Sequence, residues 1–350
     1  MADIFIANPE PRVTADSVRI GSLPLDVPLG IAPMAGMTDS AFRRLVKRQG
    51  GCGLVVTEMV SSEGLIRGMD RTLAFAEYTG EERPISIQIF GGDPEKMAEA
   101  ARIVEGMGAD IVDVNMGCPV PKIAKHNAGC SLMRDPAQAA GVIAAMARAV
   151  KIPVTVKMRA GWDDKHRNAP ELAKRVEDAG ARAVTVHGRT AQQSYSGVSD
   201  WDLIAHVADI LTIPVFGSGD CVTPEQIVAR LGTGVEGVLV GRGVLRNPWI
   251  LAQASDLMAG RSARTVTLAE RGQFLLDYIE LLLKERLDET RSGHDRWVIN
   301  KIRALGAYYT KGVEGGPKLR EGLNHAKSLD ELRELIRTHF FATVPAANHQ

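Results

Sequence analysis

The sequence predicts an α/β protein: a (β/α)8 TIM barrel followed by a small C-terminal helical bundle. Three observations point there. Eight short apolar runs alternate with helical patterns over about 240 of the 350 residues, which matches the size and order of such a barrel. The middle runs end in polar residues at alternate positions, and the last two end in glycine turns. A doubly wound sheet is the alternative, but it rarely holds eight such units in unbroken alternation.

Taken in order, residues 1–17 read as a loosely attached extension, and Val18–Val27 alternates around Gly21 and Pro24 as a hairpin at the foot of the barrel. Strands are expected at Leu29–Ala32, Leu54–Thr57, Ile85–Phe90, Ile111–Asn115, Val154–Met158, Ala183–His187, Ile213–Phe216 and Gly237–Val240. Helical patterns fill the gaps, for example Pro94–Met107 and Pro136–Val150, with proline near the start and glycine near the end. The barrel domain is drawn over residues 18–258, and the polar, basic stretch 259–267 reads as a linker. Helical patterns at Leu268–Leu287, Arg296–Tyr309 and Leu329–Phe340 then define a domain over 268–343, with 344–350 as a tail.

Lysine and arginine total 42, as do aspartate and glutamate, so the formal charge is zero. A polyanionic partner must therefore be met by a local patch. One candidate combines Arg291, Arg296, Lys301, Arg303, Lys311, Lys318 and Arg320 against Asp295 and Glu314, with Trp297, Tyr308 and Tyr309 interleaved. A solvated helix face with aromatics packed beneath it has the same composition. No apolar stretch is long enough to span a bilayer, and the N-terminus lacks the pattern of a signal peptide. A soluble cytoplasmic protein is the simple reading. Cys52, Cys118, Cys130 and Cys221 show no C-x-x-C spacing, so neither a zinc site nor a disulfide framework is indicated, and no metal is expected.

Side chains alternate along a strand. Ser86 and Gln88 therefore share a face, as do Asp113 and Asn115, Thr155 and Lys157, and Thr185 and His187. The outer face must meet helices and should be apolar, so the polar pairs point into the barrel. Barrel interiors are mostly filled with branched apolar residues. Four consecutive strands ending in inward Gln, Asn, Lys and His thus describe a lined pocket, with Asp113, Thr155 and Thr185 supporting it one layer deeper. Cys118 follows the fourth strand, between Gly117 and Pro119, where the backbone must turn. A free cysteine is more often a small buried hydrophobe, but this thiol opens a polar loop at a strand's end, where reactive groups are displayed.

The seventh and eighth strands end in Gly217-Ser218-Gly219-Asp220 and Gly241-Arg242-Gly243. Loops at these places commonly bind a phosphate through backbone N–H groups, and Arg242 could add a charge-assisted bond. Ordinary tight turns would also use glycine. The segment Gly232–Gly237 fits G-x-G-x-x-G but precedes a strand, so it is no dinucleotide fingerprint. Strand four to strand five takes about 43 residues. The excess, Cys118–Arg134, holds Lys122, Lys125 and His126 and reads as a basic lid or binding loop. Cys130 lacks a comparable strand-end setting and is taken as structural.

Four segments together resemble the tRNA-dihydrouridine synthases, with the bacterial B-type branch as the nearest likeness. They are Ala32-Pro33-Met34-Ala35-Gly36-Met37-Thr38-Asp39, Asn115-Met116-Gly117-Cys118-Pro119, Val156-Lys157-Met158-Arg159-Ala160-Gly161-Trp162 and His187-Gly188-Arg189-Thr190. The resemblance implies an FMN enzyme that reduces the C5–C6 bond of chosen uridines in tRNA, with NADPH as reductant. It assigns FMN contacts to Pro33, Met34, Ala35, Gln88, Lys157, His187, Ser218, Gly219, Asp220, Gly241 and Arg242, and the proton donor to Cys118. Substrate contacts are expected at Asn115 (on the uracil edge), Arg159 and Arg189, and at Lys301 and Arg303 on the tRNA backbone. Ser218 departs from the asparagine the family often has before Gly-Asp, and serine can still donate to a phosphate or ribityl group.

In the implied chemistry, reduced flavin delivers hydride to C6, the thiol protonates C5, and Lys157 stabilises the anionic reduced ring. Two other readings stay open: a flavin barrel acting on a free pyrimidine or another small molecule, and a non-catalytic RNA-binding or regulatory protein. The basic appendage argues against the first, and the intact Cys118, Lys157 and His187 against the second. The tRNA position, the oligomeric state, the choice of NADPH over NADH and the residues contacting NADPH are not encoded in any motif.

Overall fold

The structure is a computed structural model that describes residues 18–124, 127–285 and 293–341. The expected N-terminal extension, Lys125, His126, Arg291 and the tail lie outside the described residues. Eight parallel strands close a barrel: β1 (Leu29–Ile31), β2 (Leu54–Val56), β3 (Ile85–Phe90), β4 (Ile111–Met116), β5 (Val154–Arg159), β6 (Ala183–His187), β7 (Val215–Ser218) and β8 (Gly237–Val240). Closure is explicit in the pairing: β8 pairs β1 (Val238 with Leu29), and β2 pairs β3 (Val55 with Ile85). The seventh strand starts two residues later than the apolar run suggested, because Pro214 precedes it, and it reaches Ser218. A two-residue strand, Val60–Ser61, extends the edge of β3 and gave no sequence signal beyond one valine.

The barrel helices begin where short polar side chains can take up free backbone N–H groups. Asp39 caps Ser40–Gln49, Asp93 caps Pro94–Gly106, Asp135 caps Pro136–Ala149 and Asp200 caps Trp201–Ile210. Thr223 and Gln226 form a capping box on Pro224–Leu231. The outward strand residues Ile87, Ile89, Val112, Val114, Val156 and Val186 are fully buried under these helices. At the foot, the hairpin Val18–Ile20 and Leu23–Leu25 turns through Gly21 at φ +60 and drives Ile20 against Leu54, Val56, Phe216 and Leu239. The polar inner faces of β3 to β6 thus open only toward the strands' C-terminal ends.

Four helices follow the linker, one more than expected: Leu268–Glu285, His294–Tyr309, Gly316–His325 and Leu329–Phe341. The extra one starts with Gly316-Pro317, so proline sits at a first-turn position where its missing N–H costs nothing. The helices join the barrel through a continuous apolar core. Phe274 stacks on Tyr309 at 5.8 Å and meets Phe42 and Trp249 at 6.1 and 5.4 Å, while Tyr278 meets Phe42 edge-on.

Candidate active site

A cavity of about 630 Å³ opens at the C-terminal mouth of the barrel, within the range that holds a cofactor or drug-sized ligand. Its floor is the set of strand-end side chains whose facing the alternation indicated. Lys157, on β5, is half-buried there, and among the described residues its ammonium makes no hydrogen bond or ion pair. Burial, helped by the nearby Arg159 charge and opposed by Asp113, lowers the Lys157 pKa to about 8. It is therefore mostly a cation at neutral pH, aimed into the cavity. His187, on β6, is held well below the ordinary imidazole value by burial and by Lys157, Arg159, Arg189 and Arg242. It is neutral. Its Nδ1 accepts the backbone N–H of Arg189 at 3.1 Å, so the ring hydrogen sits on Nε2, the nitrogen next to the Gly219 turn.

Cys118 occupies the rim, half-buried. Burial raises its pKa, so the thiol keeps its proton through neutral pH. The turn that presents it is pinned by Asn115 Oδ1, which accepts from the backbone N–H of Gly117 and Cys118 at 3.1 and 2.9 Å. Asn115 Nδ2 donates to Gln88 Oε1 at 2.7 Å, and Gln88 Nε2 donates to Asp113 at 2.7 Å. Behind Cys118, the carbonyl of that residue accepts the backbone N–H of the buried Cys130 at 3.1 Å.

On the opposite wall β7 ends at Ser218 and the chain turns through Gly219 at φ +123 and Asp220 at φ +52. A Cβ on Gly219 would lie 2.3 Å from Ser199 Oγ, so only glycine fits and its backbone faces the cavity. Gly241 and Arg242 follow β8, with Arg242 3.7 Å from Asp220 and 4.8 Å from the Tyr195 ring. Glycine backbone, a serine hydroxyl and an arginine on one side, with a lysine and a neutral histidine on the floor, suit an anionic group joined to a ring system.

The sequence matches the family described as "Dihydrouridine synthase (Dus)" over residues 30–344. It is 41% identical over 334 residues to the "Probable tRNA-dihydrouridine synthase" of Rickettsia conorii, covering 95% of this chain and 98% of that one. The "tRNA-dihydrouridine synthase B" of Pseudomonas aeruginosa is 41% identical over 325 residues (92% and 96% covered). That of Xanthomonas campestris is 37% identical over 329 residues (93% and 97%). The chain belongs to the dihydrouridine synthase family.

Of the seventeen residues expected at a dihydrouridine synthase site, fourteen line this one cavity. Arg189, Lys301 and Arg303 do not, and the reason is the same for each: the charge is spent inside the protein. Arg189 is buried, donates to the carbonyls of Ser196 and Gly197 and pairs with Asp220 at 2.8 Å, bracing the turn. Lys301 reaches across to the barrel, 2.8 Å from Asp39 and 2.9 Å from the Gly36 carbonyl. Arg303 donates to the carbonyls of Leu323 and Ala326. Two cavity residues are also partly engaged within the protein. Asn115 has its carbonyl committed to the Cys118 turn and one amide hydrogen to Gln88, so what it could still offer a uracil edge is its second amide hydrogen, which has only the Met59 sulfur at 3.8 Å. Arg159 donates to the carbonyls of Gly117, Thr190 and Ser194 and ties two rim loops together.

Three rim residues were not placed at this mouth by the sequence: Tyr195 went unnamed, and Tyr308 and Lys311 figured only in the basic patch. Tyr195, on the loop after β6, is 59% exposed and lies under the guanidinium of Arg242. Tyr308 and Lys311 come from the helical bundle and close the far side of the mouth. Exposed tyrosine in a polar loop was the available signal for the first, and the interleaving of aromatic and basic residues for the other two. The loop after β4 is less irregular than expected, with short helical turns at Pro121–Ala124 and Gly129–Arg134. It offers the cavity Pro119 and Val120, whereas Lys122 is exposed beyond the cavity wall.

Proposed function

We propose that the protein is a cytoplasmic enzyme that reduces the C5–C6 bond of specific uridines in tRNA to 5,6-dihydrouridine, using FMN and NADPH. The observation that supports it most is one cavity uniting an unpaired, mostly protonated Lys157, a proton-bearing Cys118 and the Gly219 cradle. Family membership supports tRNA uridine as the substrate, since the matched relatives are titled tRNA-dihydrouridine synthases. The residues present fit FMN. Ser218, Gly219, Gly241 and Arg242 would hold its phosphate end, and Pro33, Met34, Ala35, Gln88, Lys157 and His187 its ring and ribityl chain.

When bound, FMN would supply the hydride that C6 receives. The chain's own residues do the rest. Cys118 gives its proton to C5; burial has kept that proton on sulfur until the developing carbanion calls for it. Lys157 balances negative charge at the cavity floor, where low dielectric makes one cation count. Neutral His187 offers an Nε2 hydrogen without adding a second charge beside Lys157. Val120, Tyr195 and Val222 are partly exposed on the cavity wall and give an unstacked base an apolar surface, which its extrusion from the tRNA requires.

The test is direct. The purified protein should be yellow and release FMN on denaturation, and with NADPH it should form dihydrouridine in tRNA from a strain lacking the enzyme while leaving free uridine unchanged. Release of FAD, or turnover of free uridine at the rate of tRNA, would overturn the reading.

A further inference from the structure

Below the cavity floor lies a second, smaller chamber of about 20 Å³, enough for roughly one water. Ser86, Asp113, Thr155, Thr185 and Lys157 surround it, and Ile20 and Phe216 help close its base. Asp113 is 5% exposed and is the acidic side chain of this enclosure; Lys157 is its basic one. The charged and titratable groups acting on Lys157 are Asp113 from β4, Arg159 from its own strand and His187 from β6.

The two carboxylate oxygens of Asp113 are both in use. Oδ1 accepts from Thr155 Oγ1 at 2.6 Å, and Oδ2 accepts from Gln88 Nε2 at 2.7 Å. From there the direction of every bond is forced. Gln88 must turn its carbonyl to Asn115 Nδ2, so Asn115 must turn its carbonyl to the N–H groups of Gly117 and Cys118. Backbone N–H groups only donate, so the file is fixed at both ends.

We propose that Asp113 is a positioning residue with two separable duties: its charge favours the ammonium form of Lys157, and its oxygens anchor the Gln88 end of the Gln88–Asn115 file that presents Cys118. The inference rests on the proposed function only for its catalytic consequence. Burial pushes Asp113 up to about 6, so it is still a carboxylate at pH 7 and its charge acts against the desolvation of Lys157.

Asp113→Asn separates the duties. An asparagine can accept from Gln88 with its carbonyl and donate to Thr155 with its amide, so the file survives while the charge is gone. Asp113→Leu removes both. In the full-length protein as isolated, Lys157 is titrated by competitive labelling with acetic anhydride, and Cys118 exposure is followed by its alkylation rate with iodoacetamide. In Asp113→Asn the Lys157 midpoint should fall by roughly half a pH unit, raising its acetylation at pH 7 about two- to threefold. Cys118 alkylation should stay within about twofold of wild type in Asp113→Asn and change by more than that in Asp113→Leu.

An unmoved Lys157 midpoint in Asp113→Asn would overturn the charge duty. Equal Cys118 rates in wild type and Asp113→Leu, or equal change in both variants, would overturn the positioning duty. Neither label needs tRNA or reductant, so a failure of dihydrouridine formation in the wild type is read separately. Where that activity is present, its high-pH limb should move down in Asp113→Asn by the same interval as the Lys157 midpoint.

Discussion

Cys118 suits the acid role proposed for it because the fold half-buries it without surrounding it with cations strong enough to strip its proton. We expect Cys118→Ala to retain flavin and to oxidise NADPH, yet to form dihydrouridine at least about a hundredfold more slowly. Counting dihydrouridine per tRNA against NADPH consumed checks this. Cys130→Ala should stay close to wild type, because Cys130 meets the Cys118 turn through its backbone N–H, which alanine keeps. Lys157 sets a pH dependence of its own. With its pKa lowered to about 8, the ammonium is present below that pH and lost above it, so tRNA reduction should decline as pH rises through about 8. A rate that stayed level to pH 9.5 would remove Lys157 from the charge balance. At this scale the sequence showed which way side chains point but not what they touch. Strand alternation turned Asn115 inward correctly, while its bonds to Gln88 and two N–H groups depend on a register between β3 and β4 that no local pattern encodes.

At the scale of elements, the turn after β7 is the most constrained piece of the site. Gly219 stands at φ +123 with Ser199 against it, and Asp220, at φ +52, holds its left-handed conformation with Arg189 and the Ser199 N–H on its carboxylate. Gly219→Ala should therefore cost about 1–3 kcal/mol from backbone strain alone and lose flavin on gel filtration, with thermal unfolding as the check. The strands were legible because a barrel writes them twice, as apolar runs and as alternating polar ends. The extra helix Gly316–His325 was not, since its few buried apolar residues, Leu319 and Leu323 among them, are too sparse to set a period.

At the scale of the whole molecule, the basic stretch of the C-terminal segment divides into two classes. Lys301 and Arg303 are structural, whereas Arg296, Lys311 and Lys318 are exposed, and Lys311 stands on the cavity rim beside Tyr308. Reversing Lys311 to glutamate should raise the KM for tRNA and flatten the salt dependence of binding by about one phosphate's worth, leaving NADPH oxidation unchanged. Lys301→Met should act otherwise. It removes one partner of an interdomain pair whose side chains are only 14% and 15% exposed, at a cost of about 2–5 kcal/mol, visible as a lower Tm. Composition pooled the two classes because it counts charge without knowing which neighbours claim it.

Asp39 serves three masters: it caps the first barrel helix, accepts the Tyr278 hydroxyl at 2.7 Å and pairs with Lys301. It also ends the loop that brings Pro33, Met34 and Ala35 to the cavity. A stretch of chain that finishes the proposed flavin pocket is thus fastened by residues more than two hundred positions downstream. The bundle is for that reason no interchangeable cassette. A chimera taking its helices from a relative with another tRNA preference would inherit a working pocket only if the graft brought a tyrosine and a lysine at the places of Tyr278 and Lys301.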